Sequence, residues 1–285
     1  MADVTAIIPT YNEESNIRAC IESLNGFVKK IIIMDNYSTD RTKEIAESLG
    51  AKVIQSEKSY KERLNWAIDL PEIDTQWIFN IDADERLTEK LRRELTYLTE
   101  KYSTNDNVNG IVLHYYFVFM GKLLKWGFHP YKMRFFKKGT AYMENVELDE
   151  QFVLKSGKFV KAKSYVVHHD FKGMDKFILK LNGFSQRAAH DYIKIQNKEK
   201  GVIYDGLAPV HKFRRFMKYH FFYKLPIVLR SHLYYIYYYY INLGFLDGTK
   251  GKIFQFMYIY WYKFLTDAYM IEERMEKNDI GFVSK

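Results

Sequence analysis

Three carboxylates, Asp82, Asp84 and Glu85, follow directly on an apolar run in the stretch FNIDADERLTEKL, Phe79 to Leu91. Carboxylates crowded this closely repel and favour protonation unless a cation compensates them. Hard oxygen donors suit Mg²⁺ or Mn²⁺, and such an ion can bridge the oxygens of a diphosphate. The Asp-x-Asp spacing therefore points to a metal–diphosphate clamp. The competing reading is a helix start. Acidic groups suit the positive end of a helix dipole, and a helical pattern begins near Thr88.

Elements upstream must position these groups. VTAIIP (Val4 to Pro9), KIIIMD (Lys30 to Asp35), AKVIQ and QWIFNID read as four short buried strands. Between them, EESNIRACIESL, TDRTKEIAESLG and YKERLNWAIDL read as helices, the first with Ile17, Cys20, Ile21 and Leu24 at helical spacing. This alternation predicts βαβ units and a parallel sheet with helices on both faces. In such sheets ligands bind beyond the carboxyl ends of the strands. Three strands end there on polar residues, in PTYNEE, MDNYSTD and NIDADE, so the carboxylates stand where a ligand would sit.

AIIPTYNEESNI, IIIMDNYSTDRTKEIA and WIFNIDADERL, in this order, resemble the nucleotide-sugar domain of family 2 inverting glycosyltransferases, an α/β GT-A fold. The likeness covers roughly the first half of the chain. ERLNWAI, DADERLTEKL, MRFFKKGTAYMENVELDEQFV and NLGFLDGTKG are similar to the bacterial lipopolysaccharide-core glucosyltransferase group and related capsule or teichoic-acid enzymes. The resemblance implies that Pro9, Thr10, Tyr11 and Glu13 line the base and ribose of a nucleotide sugar, a UDP-sugar first among them. It implies that Asp35, flanked by Asn36 and Ser38, meets the base. Lys61 and Arg63 would approach the diphosphate, Asp82 would contact ribose or metal, and Asp84 would be the main ligand of Mn²⁺ or Mg²⁺. Ordinary structural roles compete: Thr10 and Asn12 as turn and cap residues, Ser38 or Thr39 as a loop cap, Lys61 and Arg63 as a solvated helix face.

From Gly110 the pattern changes to strands and turns, GIVLHYYFVFMGKLLKWG and KMRFFKKGTAYM, expected to extend the sheet and floor the acceptor side. An inverting transfer needs a carboxylate to take the acceptor hydroxyl proton. Glu144, Glu147, Asp149 and Glu150 are candidates. The related group carries a His-Glu pair before an apolar strand. Here Glu150 occupies the Glu position and Asp149 replaces the histidine, so Glu150 is the first expectation for the base and Asp149 the second. An acidic loop facing water is the alternative. The resemblance places Arg134 beside a phosphate or the base carboxylate. In VVHHD, His168, His169 and Asp170 are residue types a metal site could use, but the resemblance puts the metal on the Asp-x-Asp, so one of the histidines is expected to contact acceptor or diphosphate, or to be structural.

The remaining chain bears on partners. It has 285 residues, with 43 Lys and Arg against 35 Asp and Glu, a net charge of +8 that favours an anionic partner. The single cysteine excludes an intramolecular disulfide and fits a reducing compartment. The start, MADVTAIIPTYNEE, is expected not to be a signal peptide. His211 to Lys263 holds nine basic residues, one acid and LYYIYYYYINLGFL, which is too short to span a bilayer with ease. Aromatics interleaved with cations suit an anionic membrane interface. They equally suit a small helical core or an oligomer contact. No nucleic-acid module accompanies them. The expected organisation is a GT-A catalytic domain over 1–170, with a donor half near 1–105 and an acceptor half near 106–170. A basic, aromatic-rich helical extension over 171–285 would follow. The expected activity is transfer from a nucleotide sugar to a cell-envelope glycan, free or lipid-linked, in the cytoplasm or on the inner face of its membrane. A peptide or protein acceptor and a non-catalytic scaffold are the alternatives.

Overall fold

The computed structural model describes residues 1–105, 107–145, 150–199, 201–226 and 229–283, with side chains through residue 275. The first half alternates as the sequence predicts: β1 (Val4–Thr10), α1 (Ile17–Leu24), β2 (Lys30–Asp35), α2 (Thr42–Ser48), β3 (Lys52–Gln55), α3 (Tyr60–Ala67) and β4 (Trp77–Asn80). Strand order β3-β2-β1-β4 is parallel throughout. The β1 side chains alternate between two cores. Val4, Ala6 and Ile8 join Ile17, Cys20, Ile21 and Leu24 of α1, whereas Ile7 packs with Leu64 and Ala67 of α3. This two-sided burial is why the strands read as continuous apolar runs.

Beyond β4 come β5 (Glu85–Leu87), α4 (Glu89–Lys101), β6 (Val108–Phe119), β7 (Lys122–Leu123), β8 (Tyr131–Lys137), β9 (Ala141–Met143), β10 (Phe152–Leu154) and β11 (Lys158–His168). The sheet continues β4-β8-β6-β11-β5, with β8 antiparallel to its neighbours and β11 parallel to β6. β4 and β5 are therefore separated by three strands in the sheet but by one tight turn in the chain, in which the Glu85 N–H donates to the Asp82 carbonyl at 2.9 Å. A flat sheet would need that turn to cross four interstrand spacings of about 4.8 Å. The sheet instead curls until its far edge returns to the turn, placing Asp82 and Asp84 where the curl closes.

The helix start is assigned to Thr88, whose hydroxyl accepts the Leu91 N–H at 3.1 Å as the N-cap of α4. Glu85 is a strand residue, paired with His168 of β11.

The chain then becomes helical: α5 (Met174–Gln196), α6 (Pro209–His220), α7 (Leu229–Ile236) continuing in π turns over Tyr237–Ile241, α8 (Gly248–Phe254) continuing in π turns over Gln255–Trp261, and α9 (Tyr262–Val283). Phe177 and Leu181 of α5 and Phe254 pack on Phe117 and Phe119 at the end of β6. Asp247 anchors the turn before α8, its buried carboxylate accepting the N–H groups of Lys125 and Trp126 at 2.9 Å each. Arg230 of α7 and Asp267 of α9 form a buried, bidentate ion pair.

Candidate active site

The loops after β1 and β2 brace each other. The Asn12 side chain accepts the Thr39 N–H at 2.8 Å, the Asn12 N–H donates to Ser38 Oγ at 2.9 Å, and the Glu13 N–H donates to Thr42 Oγ1 at 2.7 Å. Asn12 and Tyr37 both sit in the left-handed region, at φ 54° and 55°. Asn tolerates this conformation; for a bulky Tyr it is uncommon and held by the surrounding bonds.

Asp35, at the end of β2, is fully buried. It accepts from Thr10 Oγ1 at 2.9 Å, from the Ser38 N–H at 2.9 Å, from Ser38 Oγ, and from Gln55 Nε2 at 3.2 Å. Burial alone would raise its pKa, but these donors more than offset it and hold the carboxyl below its usual range. Pro9 is buried within β1, the Asn36 N–H donates to the Thr10 carbonyl, and Tyr11 and Tyr37 stand exposed at the rim. Glu13 is held by Lys172 at 2.7 Å and by the Asn16 amide at 2.9 Å. Arg63 is buried and reaches the Ser56 carbonyl at 3.4 Å, while Lys61 lies at the surface against Asn145 Oδ1 at 3.2 Å.

The turn that closes the curl carries two differently employed aspartates. Asp82 accepts from the Tyr60 hydroxyl at 3.2 Å and lies 3.6 Å from the Arg134 guanidinium. Arg134 also donates to Tyr60 Oη at 3.2 Å and to Asn80 Oδ1. Burial would raise the Asp82 pKa, but Arg134 and Lys132 outweigh it and keep the group ionised. Glu85, whose Oε2 accepts the Asp82 N–H, moves the other way. Burial and the Asp82 charge raise its pKa, and Lys132 at 3.4 Å compensates only in part.

Asp84 faces the opposite strand. Its Oδ1 lies 3.2 Å from His168 Nε2, and its carbonyl accepts the His169 N–H at 2.7 Å. Burial is outweighed by the His168 charge and hydrogen bond, so Asp84 is held far below the usual carboxylate range, and the same contact raises His168. Asp170 completes the cluster: one donor atom each from Asp84, His168 and Asp170 lies within 4.8 Å of the others. Among the described residues this is the one group of three such side chains able to hold a metal, and Asp82 is not in it. The two carboxylates suit Mn²⁺ or Mg²⁺, and His168 would join them as a ligand only on losing the proton it shares with Asp84. His168 Nδ1 is buried without a hydrogen-bond partner. Lys180 pairs with Asp170, and these groups, with Glu13, Lys172 and Phe177, line a cavity of about 200 Å³. A larger hollow, about 700 Å³ between Asp3, Asp74, Lys137 and Ser156, lies near the start of β1 and gathers no such cluster among the described residues.

Of the candidate bases, Glu144 is buried and clamped by Arg215 at 2.6 and 2.8 Å. Glu147 and Asp149 lie outside the described residues. Glu150 precedes β10, and its charge reaches the Tyr60 hydroxyl, whose pKa burial has already pushed up. Sequence reasoning missed Tyr60, Asn80 and Lys132. It noted His168 and Asp170 in VVHHD but not their juxtaposition with Asp84, which only the pairing of β11 with β5 creates.

A curled α/β sheet with braced strand-end loops and a carboxylate turn at its closure is the architecture of a GT-A glycosyltransferase. The model for Glycosyl transferase family 2 matches residues 5–160, and the chain belongs to this family. An uncharacterised glycosyltransferase of Rickettsia typhi is 27% identical over 68% of this chain and 69% of its own length. The lipopolysaccharide core biosynthesis glycosyltransferase LpsC of Rhizobium meliloti is 27% identical over 67% and 72% respectively. A crystal structure of glucosyl-3-phosphoglycerate synthase from Mycobacterium tuberculosis, with Mn²⁺, uridine diphosphate and glucosyl-3-phosphoglycerate, superposes with TM-score 0.33 and 23% identity. The superposition covers 40% of this chain and under half, 44%, of that one.

Proposed function

We propose that this glycosyltransferase moves a sugar from a nucleoside diphosphate, UDP before others, to a hydroxyl of a cell-envelope glycan with inversion at the anomeric carbon. The observation that carries the reading is the Asp84, His168 and Asp170 cluster, set beside the Asp82–Arg134 pair on the edge where Asp35 ends β2. The bound cation would stabilise the charge of the leaving diphosphate. Arg134 and Lys132 keep Asp82 ionised, and Lys180 balances Asp170. In the donor pocket, the imide N–H of uracil would exchange for Gln55 Nε2, the longest of the four bonds to Asp35. Glu150 would accept the acceptor proton as that oxygen bonds to the anomeric carbon and the bond from that carbon to the diphosphate oxygen breaks. The envelope acceptor is supported by the name of the Rhizobium relative alone. The single buried cysteine accords with a cytoplasmic site of action.

Calorimetry with a set of nucleotide sugars, with and without Mn²⁺, tests the donor half. Metal-dependent binding of one donor is expected. NMR of the product then reads the anomeric configuration against the donor's. Failure of every donor to bind, or retention of configuration, would overturn the reading.

A further inference from the structure

We propose that the α7–α9 face docks on an anionic membrane surface without crossing it. The helix running from Leu229 through Ile241 is amphipathic with its polarity inverted. Inward it sends Arg230 and Ser231 to Asp267. Outward it presents Leu229, Leu233, Ile236, Tyr237, Tyr240 and Ile241, at i, i+4, i+7, i+8, i+11 and i+12, each at least 44% exposed. This spacing is one continuous stripe over three turns. A second row, Phe256, Tyr260 and Phe264, runs alongside at four-residue spacing. Its rings lie 5.4 and 6.0 Å apart, and Tyr235 joins the two rows at 6.4 Å from Phe256 and 6.1 Å from Tyr260. An apolar face of this extent marks an interaction surface rather than scattered exposure.

Charge selects the occupant. Of the nine Lys or Arg between Gly206 and Thr266, Arg215 and Arg230 are held by Glu144 and Asp267, and the acids beneath this face, Asp247 and Asp267, are both buried. Lys224 before the stripe and Lys250 and Lys252 after it are exposed. A twofold pairing with a second copy would set this basic face against itself. A lipid surface with anionic headgroups accommodates both features: tyrosines and aliphatic side chains at headgroup depth, cations on the phosphates. No helix among the described residues is long and apolar enough to cross a membrane. The face also connects to the site, because Phe254 at the end of α8 packs on Phe177, which walls the cavity beside Asp84. The inference does not depend on which donor or acceptor is used.

The test is flotation of the full chain with vesicles of phosphatidylcholine alone and of phosphatidylcholine with roughly 30% phosphatidylglycerol, at low and high salt. The protein should float with the anionic vesicles, and high salt should weaken binding. Leu233→Ser with Ile236→Ser and Ile241→Ser should cut that binding at least about tenfold while leaving the circular dichroism spectrum unchanged. Failure to float with anionic vesicles at low salt, equal binding to neutral vesicles, or wild-type binding by the triple variant would each overturn the proposal. A concentration-dependent dimer dissolved by the same triple substitution would assign the face to a second copy and overturn it as well.

Discussion

His168 Nε2 lies 3.2 Å from Asp84 Oδ1, at the place where the last strand of the sheet folds back antiparallel on the three-residue strand after the carboxylate turn. Two residues far apart in sequence thus share one buried contact, and each sets the ionisation of the other. Asp84→Asn and His168→Ala should each weaken Mn²⁺ binding and transfer by at least about 10- to 100-fold, the loss typical of removing even an outer partner of a metal. Mn²⁺ titration followed by calorimetry, together with initial rates, reads both effects. Unchanged titrations would remove Asp84 from the metal site.

Glu150→Gln is isosteric but cannot accept a proton. Transfer should fall by about 10²- to 10⁴-fold, the usual contribution of a positioned base, while the donor binds as before. Full turnover by this variant would reject Glu150 and move attention to Asp149.

Asp35 provides a test in pH. Its folded-state pKa is depressed, so its bonded carboxylate contributes stability above the unfolded value, near 3.9, and loses it as pH falls through the folded pKa. Ser38→Ala removes a hydroxyl donor to this carboxylate, at a cost of about 1.5–3 kcal/mol near pH 7, typical of bonds to charged groups. The difference between variant and wild type should shrink below about pH 4, as Asp35 protonates in both. Urea melts across this range check it. A pH-independent difference would mean that Ser38 acts through loop packing instead.

Arg230 and Asp267 are each almost wholly buried. Arg230→Met leaves a carboxylate unpaired in the helical region and should cost about 3–5 kcal/mol. Combining it with Asp267→Leu should recover most of that loss, because both desolvated charges are then gone. Denaturant midpoints of the single and double variants decide the matter, and a harmless single variant would show that water reaches the pair.

How much of this could be read in the chain follows from what is local and what is not. Strands β1 to β4 were legible because each is a short apolar run, three of them β-branched, ended by polar residues, although β1 runs through Pro9 to Thr10 rather than stopping at the proline, and the helices between them keep their buried residues in register, as Ile17, Cys20, Ile21 and Leu24 do. Strand β5 was not legible. Two of its three residues, Glu85 and Arg86, are charged, and only pairing with β11 makes it a strand. Tyr60 reads as an ordinary first-turn residue of α3, yet its hydroxyl touches both Asp82 and Arg134. The inverted stripe of α7 is visible in the sequence as a run of aromatics, but its direction is set by Asp267, a distant residue that lies beneath Arg230. Local periodicity reports which face of an element is apolar; it does not report which distant element will pair with it.

The curled sheet also orders events during synthesis. The chain reaches Asp84 just after β4, but His168 and the strand that β5 pairs with come only at the end of β11. At ribosomal rates of about 5–20 residues per second, the unfinished sheet waits on the order of ten seconds for its closing strand. From the completion of β6 at Phe119 until β11 emerges, the β6 edge that will receive β11 is unpaired, and open strand edges are templates for aggregation. The geometry that brings the two halves of the site together therefore leaves the nascent chain with an open strand edge until β11 is made.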